Sequence, residues 1–355
     1  MEMFETKEWK PVQLQDYFEL SRGRESKTTT KEGGKIPFVS AKKNNNGYRM
    51  FVKEAKTSIP SNTMSLNNNG DGGAGFGYYQ PYAYTVDVNT TALIPLENNP
   101  MDKDLGLFWS GSFSWMHDYF GNARTLSNSR ARAIKIMLPT NSEGNPDFEC
   151  MKEYVKEYRK KMLRRYCEYA LKRLSEVKTS VEQVSLTDKQ WENFCIPDIF
   201  ENIQRGKRLK NADHIAGNYP YVSSTPNNNG VDDFIEAIEG TRVFKDCISL
   251  ANSGSVGKAF YEPFAFVASD HITHLKQSGM SKYVYLFLTT VLEKQKGNFN
   301  FNREINDRRI QNMRIMLPVN NMGKPDYEYM EEYVRYLMKN KYMQYFTYIK
   351  KQLED

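Results

Sequence analysis

Hydrophobic and polar positions along this chain write one pattern twice. From Trp9, short apolar segments alternate with clusters of Gly, Asn and Pro. Val12-Gln-Leu14 runs into Tyr17-Phe18, and Ile36–Val39, Tyr82–Val88, Ala92–Ile94 and Ile134–Met137 are the strand candidates. This is the pattern of a β-rich domain with long polar loops. Leu105–Phe120 is dense enough in apolar and aromatic residues for a helix packed on that sheet. A seam, Ile136-Met-Leu-Pro139, then leads through Pro146-Asp147 into a stripe of apolar residues at 148, 151, 155, 158, 162, 166, 169, 170, 174 and 177. Spacing of three and four predicts one continuous helix. Pro suits a first helical turn, and Asp complements its positive end.

The second copy of the seam is Ile315-Met-Leu-Pro318, and its stripe runs through 327, 330, 334, 337, 338, 342, 345, 349 and 353. Trp9 answers to Trp191, Arg22-Gly23 to Arg205-Gly206, and Pro37-Phe-Val-Ser40 to Pro220-Tyr-Val-Ser223. Asn44-Asn-Asn-Gly47 matches Asn227-Asn-Asn-Gly230, and Tyr283–Leu292 stands where the first aromatic helix stood. The offset drifts only between 179 and 184, as small loop insertions produce. Two units of this size are two domains. The expected class is α+β, with two tandem β-rich domains separated by two long antiparallel helices and related by a pseudo-two-fold. The divisions are a first domain at 1–147, a helix and linker at 148–185, a second domain at 186–326 and a closing helix at 327–355. Each rod, about 31 residues for the first, is roughly 45 Å long. Neither buries its stripe alone, and antiparallel packing of the two is the simplest solution.

Composition narrows this picture. A net charge of +6 permits a nucleic-acid partner without demanding one. Residues 148–178 hold ten Lys/Arg against five Asp/Glu, a solvated face or a contact surface with equal weight. Cys150, Cys167, Cys195 and Cys247 show no CxxC spacing, which fits reduced thiols in a cytoplasm. With no apolar leader and no 18-residue apolar run, secretion and membrane spanning are not expected.

No candidate catalytic motif is complete. Asp71-Gly-Gly-Ala-Gly-Phe-Gly77 suggests a cofactor loop, but its repeat, Ser253-Gly-Ser-Val-Gly257, lacks a dinucleotide fingerprint. Asn145-Pro-Asp-Phe148 approaches the Asn/Asp-Pro-Pro-Tyr/Phe motif of amino-methyltransferases, yet Lys324-Pro-Asp-Tyr327 shows that the shared part is helix-start grammar. Pro146-Asp147 with Glu149–Lys152 is a poor echo of a PD-(D/E)xK nuclease, because the Glu–Lys spacing is wrong. His271-Ile-Thr-His274 has no Cys or carboxylate at ligand spacing, so packing or hydrogen bonding outweighs metal. No catalytic or metal-binding residue is assigned.

The informative residues are polar ones in loops. In the first repeat they are Arg22, Arg24, Lys27, Lys42, Lys43, Asn44, Asn45, Asn68, Arg124, Ser127, Arg130 and Arg132. In the second they are Arg205, Lys207, Arg208, Lys210, Ser224, Thr225, Asn227, Asn228, Asn252, Ser253, Ser255, Lys258, Asn300, Arg303, Arg308 and Arg309. Asn pairs with adenine and Arg with guanine, while Lys, Ser and Thr anchor phosphates. Asn-Gly is also turn chemistry, which is the heavier reading for the Asn-Asn-Asn-Gly motifs. For the basic loops contact outweighs structure.

The ordered set, present twice, resembles the specificity subunits of type I restriction–modification systems and the homologous recognition subunits of type IIB enzymes. Its carriers are the Trp9 and Trp191 segments, Arg-Gly followed by Pro-(Phe/Tyr)-Val-Ser, Asn252–Gly257, and the Ile-x-Leu-Pro seam before a long helix. The resemblance covers nearly the whole chain. It implies two target recognition domains, each binding half of a split site in double-stranded DNA, with the helices as a ruler between them. It also implies a chain without its own cofactor. Catalysis then sits on partners: methyltransferase subunits or a fused methyltransferase–nuclease, and in the type I arrangement a motor/nuclease restriction subunit. Those partners would bring S-adenosylmethionine and Mg²⁺ and flip the target adenine out of the stack. The short chain, with little ahead of the first domain, shifts weight towards type IIB. The readings from other classes are a stand-alone methyltransferase or nuclease with degenerate motifs, and a tandem carbohydrate- or protein-binding module.

Overall fold

The structure, a computed structural model, describes residues 4–26, 31–69, 73–120, 124–177, 179, 185–299 and 302–354. The chain divides into Met1–Tyr166 and Cys167–Asp355.

In the first unit, β1 (Trp9–Gln13) leads into β2 (Phe18–Arg22), β3 (Glu32–Val39), β4 (Tyr48–Val52), β5 (Thr63–Asn67), β6 (Gly77–Gln80), β7 (Thr85–Val86) and β8 (Thr90–Pro95). Helices α1 (Lys103–Ser112), α2 (Met116–Tyr119) and α3 (Asn128–Ala133) precede β9 (Lys135–Pro139), and α4 (Phe148–Glu176) follows. Strands order as β2-β8-β5-β6 in one sheet and β4-β3-β7 in another. The opening strand and the seam are partners: β1 pairs antiparallel with β9, Trp9 opposite Pro139. The two motifs that bracket the repeat therefore close the domain on itself.

Strand β5 is the hub. Met64 and Leu66 enter the main core with Leu93, Trp109, Phe113 and Met116. Its alternate residues are also buried but polar: Gln80 Nε2 donates to Ser65 Oγ at 2.9 Å, and Asn67 Nδ2 donates to Lys42 O at 3.0 Å. A smaller core of Val39, Ile59, Tyr84, Val86 and Ala92 lies apart from the main one. Asp102 caps α1, accepting from Leu105 N at 2.9 Å. The aromatic segment is not one helix. Phe113 ends α1, with the Ser112 hydroxyl turned back to Phe108 O, and α2 restarts at Met116.

The second unit repeats the plan. It contains β10 (Trp191–Cys195), α5 (Ile196–Ile199), β11 (Asn202–Arg205), β12 (Ala216–Val222), β13 (Val231–Ile235), β14 (Val243–Phe244), β15 (Cys247–Ala251), β16 (Ala259–Glu262), β17 (Phe266–Ala268) and β18 (Ile272–Lys276). Then come α6 (Lys282–Lys294), α7 (Asp307–Gln311), β19 (Arg314–Pro318) and α8 (Tyr327–Glu354). The sheets are β11-β18-β15-β16, β13-β12-β17-β14 and the pair β10-β19, with Trp191 opposite Pro318. Helix α6 buries Val284, Tyr285, Phe287, Leu288 and Leu292 in the larger core.

Pro146 lies just outside its helix rather than in the first turn. Asp147 is the residue that caps α4, taking Cys150 N at 3.0 Å, as Asp326 takes Tyr329 N at 3.0 Å before α8. The stripes do more than line a seam between rods. Met151 and Val155 belong to the first domain's core, and Met330 and Val334 to the second's. Within the second unit, Arg173 Nε donates to Tyr342 OH at 3.5 Å and Thr179 Oγ1 to Glu332 Oε2 at 2.6 Å. Partner numbers fall as residue numbers rise, so this end of α4 runs antiparallel to α8. Tyr158, Met162 and Tyr169 on α4, and Tyr345 and Tyr348 on α8, stay exposed.

Candidate nucleic-acid interface

In the first unit the polar loops meet at one end of the sheet β2-β8-β5-β6, where β2 and β5 end and β8 begins, and in the second at the matching end of β11-β18-β15-β16, where β11 and β15 end and β18 begins. In the first unit Arg22 lies opposite Thr91, and Asn67 opposite Thr90. Gly23 N donates to Thr90 O at 2.9 Å. A Cβ on Gly23 would sit 2.0 Å from Asp87 O, and one on Gly206 would sit 2.1 Å from Ser269 O. That close approach is why both repeats read Arg-Gly at this strand end.

Asn68 pegs the next loop to the sheet. Its backbone carbonyl accepts from Leu126 N at 2.8 Å, its Nδ2 donates to Leu126 O at 2.6 Å, and its Oδ1 accepts from Thr91 Oγ1 at 2.8 Å. Asn252 does the same work in the second unit: its carbonyl takes Ile305 N at 2.9 Å, and Nδ2 donates to Thr273 Oγ1 at 3.1 Å. Leu126 and Ile305 sit in the two basic loops. Asn68 and Asn252, expected to face a ligand, are therefore buried, because the sheet end needs their hydrogen bonds to hold those loops, and Ser253, expected there too, is buried with its hydroxyl on the His271 ring.

The basic loops are self-supporting. Ser127 and Asn306 cap α3 and α7. Arg130 donates to Thr125 O at 2.7 Å, and Arg309 donates to Glu304 O at 2.7 Å, so each guanidinium braces its own loop while staying exposed. Arg124 lies over the Tyr119 ring at 3.8 Å. Arg24, Lys43, Arg132, Lys207, Arg208, Lys210, Arg303 and Arg308 are exposed as well. Lys42 is half-buried, with Nζ on Tyr48 O at 3.3 Å, and Lys258 is paired with Glu293 at 3.0 Å. Ser224, Thr225 and Ser255 are half-buried, and Ser255 N donates to Ser224 O at 3.3 Å. Lys27 and Asn300 lie outside the described residues.

The Asn-Asn-Asn-Gly motifs are turns. Asn45 and Asn46 both have φ of 55°, and Asn228 and Asn229 have φ of 51° and 52°, before Gly47 and Gly230 at 74°. Left-handed backbone at two successive residues is why Asn recurs there. Asn46 Nδ2 then donates to Tyr79 O at 2.8 Å, while Asn44, Asn45, Asn227 and Asn228 remain exposed.

Four residues at the sheet end were not assigned from sequence. They form the turns before β8 and β18: Val88-Asn89 and Asp270-His271. Arg22 Nε donates to Val88 O at 3.1 Å, and Arg205 Nε donates to Asp270 O at 2.6 Å. His271 Nδ1 is hydrogen-bonded to Ser253 Oγ. Its neighbour in the HxxH motif, His274, is buried, stacked on Phe244 at 3.8 Å with Nδ1 2.9 Å from Gln204 O. Burial lowers the His274 pKa and favours the neutral ring. The two histidines thus do unrelated jobs, and among the described residues no cluster of three or more His, Cys, Asp or Glu could hold a metal ion.

One framework built twice, each copy presenting loops rimmed with cations, defines a tandem recognition module. The comparison with protein families agrees: the model for the type I restriction modification DNA specificity domain matches residues 6–165 and 188–344. The chain belongs to that family and is a specificity subunit of a restriction–modification system. Such subunits are generally non-catalytic. A similar curated protein is the type II restriction enzyme BgcI specificity subunit S.BcgI of Heyndrickxia coagulans, 26% identical over 326 residues, covering 90% of this chain and 92% of that one. Among solved structures, the type I S subunit from M. genitalium aligns over 99% of this chain and 95% of its own, with 15% identity and a TM-score of 0.49. The HsdS subunit from Thermoanaerobacter tengcongensis aligns over 97% and 91%, with 11% identity and a TM-score of 0.33. No helix among the described residues is long and apolar enough to cross a membrane.

Proposed function

We propose that each unit reads one half of a bipartite site in double-stranded DNA through its sheet-end loops, and that α4 and α8 set the unread gap. The observation that carries this reading is the duplicated sheet end. Its buried framework is the same in both units, down to the Arg-to-turn and Asn-to-loop hydrogen bonds, while its exposed side chains differ. A constant scaffold with variable loops is what two readers of different sequences require. The exposed cations supply phosphate contacts, which position the reader without specifying sequence. Twenty-nine residues of α4 at 1.5 Å each make a rod of about 43 Å, on the scale of one turn of DNA.

The chemistry is assigned to partners that dock on the exposed apolar positions of the long helices. These are methyltransferase subunits using S-adenosylmethionine, with a Mg²⁺-dependent nuclease fused to them or carried by a separate restriction subunit. Purification of the tagged chain from its host tests this. Co-recovery of a methyltransferase is the expected result, and a motor ATPase alongside it marks the type I arrangement rather than type IIB. Recovery of the chain alone, with S-adenosylmethionine-dependent activity of its own, would overturn the assignment.

A further inference from the structure

We propose that the turns Val88-Asn89 and Asp270-His271 set which bases the two units read. This rests on the reading above that each unit recognises half of a DNA site. The turns are built alike. Besides the two arginine bonds to Val88 O and Asp270 O, Asn68 N donates to Asn89 O at 2.9 Å and Asn252 N to His271 O at 2.9 Å. Asn89 N donates to the Asp87 side chain at 3.1 Å, and His271 N donates to the Ser269 hydroxyl at 3.2 Å. Thr90 N and Ile272 N close the same turn on Asp87 O and Ser269 O, at 3.0 and 3.1 Å. The backbone is therefore fixed, and what differs is the chemistry it presents.

Two of the four side chains, Val88 and Asp270, have no use in binding phosphate. Val88 is 43% exposed, an apolar side chain on a rim of arginines. Asn89 beside it is half-buried. In the second unit His271 is exposed with Nδ1 held by Ser253, leaving Nε2 at the surface 4.0 Å from Asp270 Oδ1. A carboxylate here repels phosphate and has a use only towards a donor. Base edges offer the matching groups: the thymine methyl for Val88, adenine N6 and N7 for Asn89, and the cytosine N4 amine for Asp270. The Asn-Asn-Asn-Gly turns carry the same residues in both repeats and cannot distinguish two half-sites, and Asn68 and Asn252 are buried. The first unit is thus assigned an A·T pair under its turn, and the second a C·G pair.

The test is selection from randomised duplex DNA by the full chain assembled with its modification partner. The wild type is expected to select a split site with these pairs in opposite halves. The variant D270V/H271N, which gives the second unit the turn of the first, is expected to keep the first half-site, lose preference for its C·G pair and discriminate about tenfold to hundredfold less against other bases there. The converse variant, V88D/N89H, changes the first half-site alone. Selection of unchanged half-sites by both variants, or uniform loss of binding in both without any shift in sequence, overturns the proposal. A wild-type complex that selects no split site overturns the underlying reading of the chain instead.

Discussion

Lys7 pairs with Asp147 at 2.7 Å, and the repeat makes the same pair between Lys189 and Asp326 at 2.6 Å. Each aspartate divides its oxygens, one capping a long helix and the other holding a lysine just ahead of its domain's opening strand. The ion pair and the capping hydrogen bond together hold the Asp147 carboxyl below the usual carboxylate range, Lys7 being the larger cause. Asp147→Ala is expected to cost about 1 kcal/mol through the lost cap, read by urea unfolding of the full chain. Asp147→Asn keeps a capping oxygen and costs less. Because the folded carboxyl ionises at lower pH than the unfolded one, the wild-type advantage is present above about pH 4 and is lost as pH falls through the depressed value. The gap between wild type and Asp147→Asn closes at acid pH.

Gln80 and Glu262 occupy matching places on β6 and β16, each bonded to a strand serine at 2.9 Å. Gln80 also donates to Asn46 O at 3.0 Å, tying the turn to the sheet. Glu262 has a second buried oxygen without a partner, and burial pushes its carboxyl up to about 7. Cys247, opposite it, stays a thiol, since burial pushes that group up to about 12. The folded state keeps the Glu262 proton to about pH 7, while the unfolded chain releases it near 4.5, so this residue lowers stability as pH rises between those values. Glu262→Gln is expected to stabilise the chain by roughly 1–3 kcal/mol at pH 8 and by nothing at pH 4. Denaturant midpoints at the two pH values check it.

Asn68 and Asn252 are positioning residues. Asn68→Ala strands Leu126 O in a buried place, leaves the Thr91 hydroxyl to Asn128 Oδ1 alone, and is expected to cost about 1–3 kcal/mol. It weakens DNA binding by loosening the loop at 124–130, and the slope of log K against log salt stays the same, because no phosphate contact is deleted. Binding titrations at several salt concentrations separate this from the next case.

Arg124 and Arg208 are exposed. Replacing either by Ala is expected to reduce that salt slope by about 0.9 and to weaken binding to all sequences alike. A change in sequence preference, with the slope intact, would move these residues from phosphate contact to base reading.

Much of this architecture is written where residue types and spacing coincide. The two seams pair with the two opening tryptophan strands, so motifs far apart in sequence mark one ribbon. The long helices follow from their stripes. Strand β5 is not among the sequence candidates although Thr63-Met-Ser-Leu-Asn67 alternates polar and apolar residues, because it holds only two apolar side chains and runs straight into the Asn-rich stretch that reads as loop; that its polar face is buried too is visible only in the fold. The strand expected at Tyr82–Val88 is shorter in the structure: Thr85-Val86 form it, Tyr84 and Asp87 extend it by single bridges to Ile59 and Glu25, and Tyr82 is 74% exposed in the loop before it. At the candidate interface the exposed cations were legible from charge alone. Which asparagines are pegs and which are free was not, because that depends on carbonyls from Leu126 and Asp270, distant in sequence. The turns 88–89 and 270–271 share no sequence motif, since the HxxH that holds His271 has no counterpart in the first repeat, and only the strand register brings them beside the arginines.

The central claim is that two separable readers share one chain. Exchange of residues 191–318 for the matching domain of another family member, followed by mapping of the modified sites, tests it most directly. A split site in which one half changes, while the other half and the gap are retained, is the predicted result. A single continuous site, or simultaneous change of both halves, would contradict it.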